Sequence, residues 1–149
     1  RLLGPGAAIG LEGTIGQPYH ELAETLSEVD VCRIPRGTVQ QIAGEQPQLY
    51  LRLMEQWQEH LEIADSHLLN LSTGAIFDRV INLLRVLDKL SGSPQTPFTL
   101  PSNHDCASLV AARFESISRI MAELKRGGTL APTEDGRWRF DPALLPSGK

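Results

Sequence analysis

Ser102 to Leu124 reads SNHDCASLVAARFESISRIMAEL, two short amphipathic runs around a small-residue break at Ala111-Ala112. The second run places Glu115, Ser118 and Arg119 at spacings i, i+3 and i+4, which brings their polar heads onto one helical face. Phe114, Ile117, Ile120, Met121 and Leu124 are expected on the opposite, apolar face. Two helices joined by so tight a turn form a helix-turn-helix, whose second helix enters the DNA major groove. Arginine pairs with guanine through two hydrogen bonds, glutamate accepts from cytosine N4, and serine adapts to either. The competing reading is a surface helix with an ordinary Glu115–Arg119 ion pair.

Downstream, Gly127-Gly128 ends the second run, and TLAPTEDGRWRF (129–140) follows. Asp135-Gly136 between two short runs reads as a hairpin turn, so the motif acquires a wing. Upstream, Ser102 is the expected N-cap, with Asp105 in the first turn. SGSPQTP (91–97) reads as a linker. Before it, Ile76, Val80, Leu83, Leu84, Leu87 and Leu90 recur at helical spacing. Ser72-Thr73-Gly74 marks a break.

From Met54 the apolar residues Met54, Trp57, Leu61, Ala64, Leu68, Leu71 and Ala75 alternate at intervals of three and four. That is a heptad seam, the pattern of two helices wrapping around each other, so residues 47–73 are expected to form a homodimerisation helix. A single long helix packing on its own domain is the alternative. Residues 1–46 are rich in Gly and Pro between short apolar pieces, and the run Val29 to Pro35 looks like a strand stopped by proline. GTVQQIAGEQP (37–47) suggests a short helix ending near Gly44. The chain opens without Met and is read as a fragment, with further strands of its first domain expected before Arg1.

The whole chain has a net charge of −4, but the charge is unevenly placed. Residues 1–94 hold seven basic and twelve acidic residues, whereas 95–149 hold seven and six. Arg113, Arg119, Lys125, Arg126, Arg137 and Arg139 gather on and around the second helix of the motif, and phosphate attraction depends on such local patches. No run is long and apolar enough to span a bilayer, so no membrane partner is expected. No secretory signal stands at the start, and the two cysteines make no disulfide framework, so the cytoplasm is the expected location.

This order of parts resembles the Crp/Fnr superfamily of bacterial transcription regulators, across essentially the whole chain. The resemblance implies a mainly α fold with β: the end of a β-roll sensor domain (1–46), a dimerisation helix (47–73) and a winged helix-turn-helix (74–149). Glu115-Ser116-Ile117-Ser118-Arg119 is similar to the family's E-[ST]-[VI]-S-R recognition motif, in its Fnr-branch form. Carried over, Glu115, Ser118 and Arg119 become base readers, and Ser102, Arg113, Ser116 and Arg126 complete the expected DNA contacts. The implied site is an inverted repeat of half-sites similar to TTGAT, and RNA polymerase stands as a further candidate partner. Val31-Cys32-Arg33-Ile34-Pro35 is similar to the V-C-E-I-P string of the same branch, which makes Cys32 a candidate ligand of a [4Fe–4S] cluster.

Departures from the family narrow the reading. The Arg-Ser pair that holds a cyclic phosphate is replaced by Tyr19-His20, and the polar adenine contacts by Ala64-Asp65, so cyclic AMP is not expected to bind. Asn103 to Cys106 stands where the family usually has an Arg and a buried Ile, and Ala111 replaces the usual turn Gly. Cys106 reads as a packed core thiol, His60 and His67 as a solvated pair one heptad apart, and Trp57 as a dimer anchor. For Trp138, packing under the wing and contact with phosphates both stay open. No phosphate loop, nucleophile elbow or convergent acid pair supports an enzyme. The rival to a homodimeric DNA-binding regulator is a dimeric module that uses the winged helix for protein contact.

Overall fold

A computed structural model describes residues 2–20, 22–92 and 96–145. Its order is α1 (Arg36–Glu45), α2 (Pro47–Ser72), α3 (Ile76–Leu90), α4 (Asn103–Leu109), α5 (Phe114–Arg126), β1 (Leu130–Pro132) and β2 (Trp138–Phe140). Short 3₁₀ turns occupy Leu11–Ile15 and Pro142–Leu144. The chain is mainly helical with a small antiparallel sheet, as expected. It divides into two compact units, Pro5–Ala64 and Asp65–Lys149 with Arg1–Gly4, so α2 contributes residues to both.

The second unit has the larger core. Helical spacing puts Val80, Ile81, Leu83, Leu84 and Leu87 of α3 on one buried stripe, and Ile117, Ile120, Met121 and Leu124 of α5 on another. Val110, Leu130 and Phe140 join them, as do Leu71 from the end of α2 and Leu2. Truncating a fully enclosed side chain such as Leu84 to alanine costs about 2–5 kcal/mol through lost transfer energy and the cavity left behind. The wing is a hairpin with Leu130 opposite Phe140 and Pro132 opposite Trp138. Phe98 exchanges both backbone hydrogen bonds with Trp138, each at 2.9 Å, and adds a third edge to it. Gly136 turns the hairpin at φ +77°, a conformation that favours glycine.

The first unit departs from expectation. Among the described residues before Arg36 no strand forms, and the run Val29 to Pro35 has no regular secondary structure. Val29, Val31 and Ile34 are all exposed, Val31 at 80%. A strand exists only through a neighbour that takes up its backbone hydrogen bonds, and β-branched composition does not supply one. The short helix around 37–44 does form, as α1, with Val39 buried.

Candidate nucleic-acid interface

The interface is built on α4, the turn after it, and α5. Ser102 caps α4: its hydroxyl accepts from the Asp105 N–H at 3.1 Å, while Asp105 Oδ2 accepts from the Ser102 N–H at 3.2 Å. This reciprocal capping box satisfies two otherwise orphaned donors. It also commits the Ser102 hydroxyl, which donates to Asp105 Oδ2 at 2.6 Å.

Cys106 and Ala107 anchor α4 in the core, and Val110 is fully buried beneath the turn. Ala111 takes φ +48°, the one positive-φ non-glycine residue among those described. Arg79, on α3, reaches this turn and donates from Nη1 to the Val110 carbonyl at 2.7 Å and to the Ala111 carbonyl at 3.3 Å. Nothing in the sequence singles Arg79 out, because its partners are backbone oxygens far along the chain.

Arg113 is the extended N-cap of α5, and its carbonyl accepts from the N–H groups of Ser116 and Ile117. Along α5, Glu115, Arg119 and Arg126 are exposed, while Ser116 and Ser118 are half-buried. Glu115 and Arg119 form no ion pair, and neither head has a hydrogen-bond partner among the described residues. The competing surface-pair reading is therefore not realised. Phe114 does not join the buried stripe as expected. It is 38% exposed, and its ring stacks on His104 with centroids 4.4 Å apart. At the first helical position it lies at the edge of the apolar stripe, which Ile117, Ile120, Met121 and Leu124 already fill.

The surrounding cations differ in availability. Arg137 is paired with Asp135 and donates to the Pro97 carbonyl at 3.3 Å. Thr133 and Arg137 hold the Asp135 carboxyl down to about 2. Lys125 Nζ sits 4.1 Å above the Trp138 ring, a cation–π contact between α5 and the wing. Trp138 is half-buried and packs against the core, which decides one of the two options left open for it. Arg113, Arg126 and Arg139 stay exposed.

The other expected site residues fall as follows. On α2, Leu61 and Leu68 are 51% and 65% exposed, and Met54, Trp57 and Ala64 are half-buried. Leu71 is only 3% exposed and belongs to the intramolecular core, so it is not available to a partner helix. His60 and His67 are not a solvated pair: His60 is buried, and His67 accepts from the Leu2 N–H at 3.3 Å, with burial lowering its pKa. Cys106 is fully buried, its thiol pushed up to about 11, first by burial and then by Asp105. Cys32 is exposed. A [4Fe–4S] cluster normally takes four thiolates, and no group of three His, Cys, Asp or Glu suited to a metal occurs among the described residues. Tyr19 lies against Gly10 and Gly13, and His20 is exposed.

No family model matches the chain. It is 32% identical over 132 residues, 85% of its length, to the nitrogen fixation regulation protein FixK of Azorhizobium caulinodans, and covers 52% of that protein. It is 25% identical over 142 residues to the transcriptional activatory protein AadR of Rhodopseudomonas palustris, covering 59% of it. The structure of FixK2 from Bradyrhizobium japonicum aligns with 78% of the chain and 61% of that protein, with a TM-score of 0.63 and 21% identity, a likeness of fold. The chain is similar to regulators of Crp/Fnr type.

It spans roughly half the length of the curated relatives it matches. Those relatives are named for regulation or transcriptional activation, and none for an enzymatic activity. Among the described residues, no helix is long and apolar enough to cross a membrane.

Proposed function

We propose that this chain binds double-stranded DNA in a sequence-specific manner as a homodimer, with α5 in the major groove, and that it thereby regulates transcription. The observation that supports this most strongly is the unspent polar face of α5. Glu115 and Arg119 stand exposed, without a partner among the described residues, on a helix whose other face is locked into the core. A carboxylate and a guanidinium four residues apart would gain modestly from pairing with each other. Left free on a rigid element, they suit hydrogen bonds to base edges instead. The capping box and the Arg79 clamp hold α4 and the turn, so the readers are positioned before any ligand arrives.

A two-fold dimer would present two such helices to half-sites about 34 Å apart, one turn of the duplex. Leu61 and Leu68, seven residues apart and exposed, supply the apolar stripe on α2 for that assembly. Arg119 is assigned to a guanine, with Glu115 accepting from the cytosine paired to it. Selection from randomised half-sites tests the assignment. Arg119→Ala is expected to lose about 1–3 kcal/mol of discrimination at one base pair per half-site. Unchanged base preferences in that variant would refute the assignment.

A further inference from the structure

We infer that Phe114 reads the 5-methyl group of a thymine in the major groove, and that His104 is the positioning residue that holds its ring for that contact. The inference rests on the DNA-reading function proposed above and adds a base-specific contact to it.

Phe114 opens α5 and is 38% exposed, although the helix buries Ile117, Ile120, Met121 and Leu124 behind it. The core is complete without this ring. At 100° per residue Phe114 lies 40° from Ser118 around the helix, one turn before it, so it borders the face that bears Glu115 and Arg119. The N-terminal residues of a recognition helix are the ones that meet base edges. A phenyl ring can neither donate nor accept there. Among the base edges of the major groove, the thymine methyl is the most prominent apolar group and the one that suits such a ring.

An exposed ring on a free χ1 would lose much of that contact to rotamer freedom. Here it is stacked on the His104 imidazole at 4.4 Å with 24° between the planes. His104 is exposed, but the helix that carries it is held, since α4 is capped by the Ser102–Asp105 box and seated by Cys106. One ring face is covered by histidine, which restricts the ring's rotation and leaves the rest of it open to contact.

The test is a thymine-to-deoxyuridine scan of a selected operator, which removes one methyl at a time and leaves every hydrogen bond intact. One position per half-site is expected to bind about fourfold more weakly as uracil, the worth of one buried carbon. Phe114→Ala should bind the thymine and uracil operators alike while keeping the preference assigned to Arg119. His104→Ala should shrink the methyl effect, and His104→Phe, which retains a stacking ring, should restore it. A uracil penalty that persists in Phe114→Ala overturns the inference, as does a wild-type scan with no sensitive position. If wild type selects no sequence at all, the proposed function falls together with it, which separates the two failures.

Discussion

Ala111 holds the turn between α4 and α5 at φ +48°, where a Cβ crowds the following carbonyl at a cost of about 1–2 kcal/mol. The surroundings impose it: Val110 is buried on one side, and the Arg79 guanidinium grips the carbonyls of Val110 and Ala111. Ala111→Gly relieves the crowding but gives the unfolded chain more freedom, worth about 0.4–1 kcal/mol. The expected result is a small net stabilisation, under about 1.5 kcal/mol, whereas Ala111→Val, β-branched in the same conformation, should destabilise. Urea melts of the three proteins should rank Gly, Ala, Val, and a Val variant as stable as wild type would contradict the strain. Removing the clamp with Arg79→Ala strands two carbonyl contacts made by a charged donor, and about 1.5–3 kcal/mol of stability should go with each such bond lost.

The elements give two further expectations. On α2, Leu68 is 65% exposed, so Leu68→Asp disturbs nothing inside the chain but places a charge in the proposed seam. Sedimentation should find a monomer with an unchanged helical spectrum, and an undiminished dimer would remove the seam. In the wing, Thr133 and Arg137 hold the Asp135 carboxyl at about 2, below its ordinary 3.8. Between those values the unfolded chain binds the proton and the folded chain does not. The stabilisation is therefore present above pH 4 and is lost as pH falls toward 2. Asp135→Asn should flatten that part of the acid melting profile, and a slope equal to wild type would contradict it.

These elements also mark how far the sequence could be read. The helices over 76–90 and 114–126, the cap at Ser102 and the turn at Asp135-Gly136 were legible because each rests on local chemistry: periodicity, a capping box, a positive φ. The polar face of α5 was legible for the same reason. Leu71 was not, because a heptad pattern says that a leucine will be covered and not by which partner. His60 went astray likewise, since its burial depends on contacts distant in sequence. The same holds for Arg79 and for the Phe114–His104 stack, which span 31 and 10 residues of chain and leave no periodic signal.

For the whole molecule, the uneven charge sets how DNA binding should respond to salt. Residues 1–94 are net acidic and would be repelled by a duplex, so attraction must come from the few cations around α5 and the wing. They are not equivalent. Arg137 already has a carboxylate and a carbonyl, and Lys125 is drawn over Trp138. Arg126 spends only its Nε, on the Ala122 carbonyl at 3.3 Å, and leaves the rest of its guanidinium exposed. A cation that neutralises one phosphate contributes about 0.9 to the slope of log affinity against log salt. Arg126→Ala is therefore expected to lower the slope by close to that amount and to weaken specific and random sequences alike. Arg137→Ala should lower it less, because its charge is already partly balanced by Asp135. Measuring binding of one operator and one random duplex at four salt concentrations checks both. Equal slope losses for the two variants would mean that the Asp135 pair opens on the DNA, and an unchanged slope for Arg126→Ala would take that residue off the phosphate backbone.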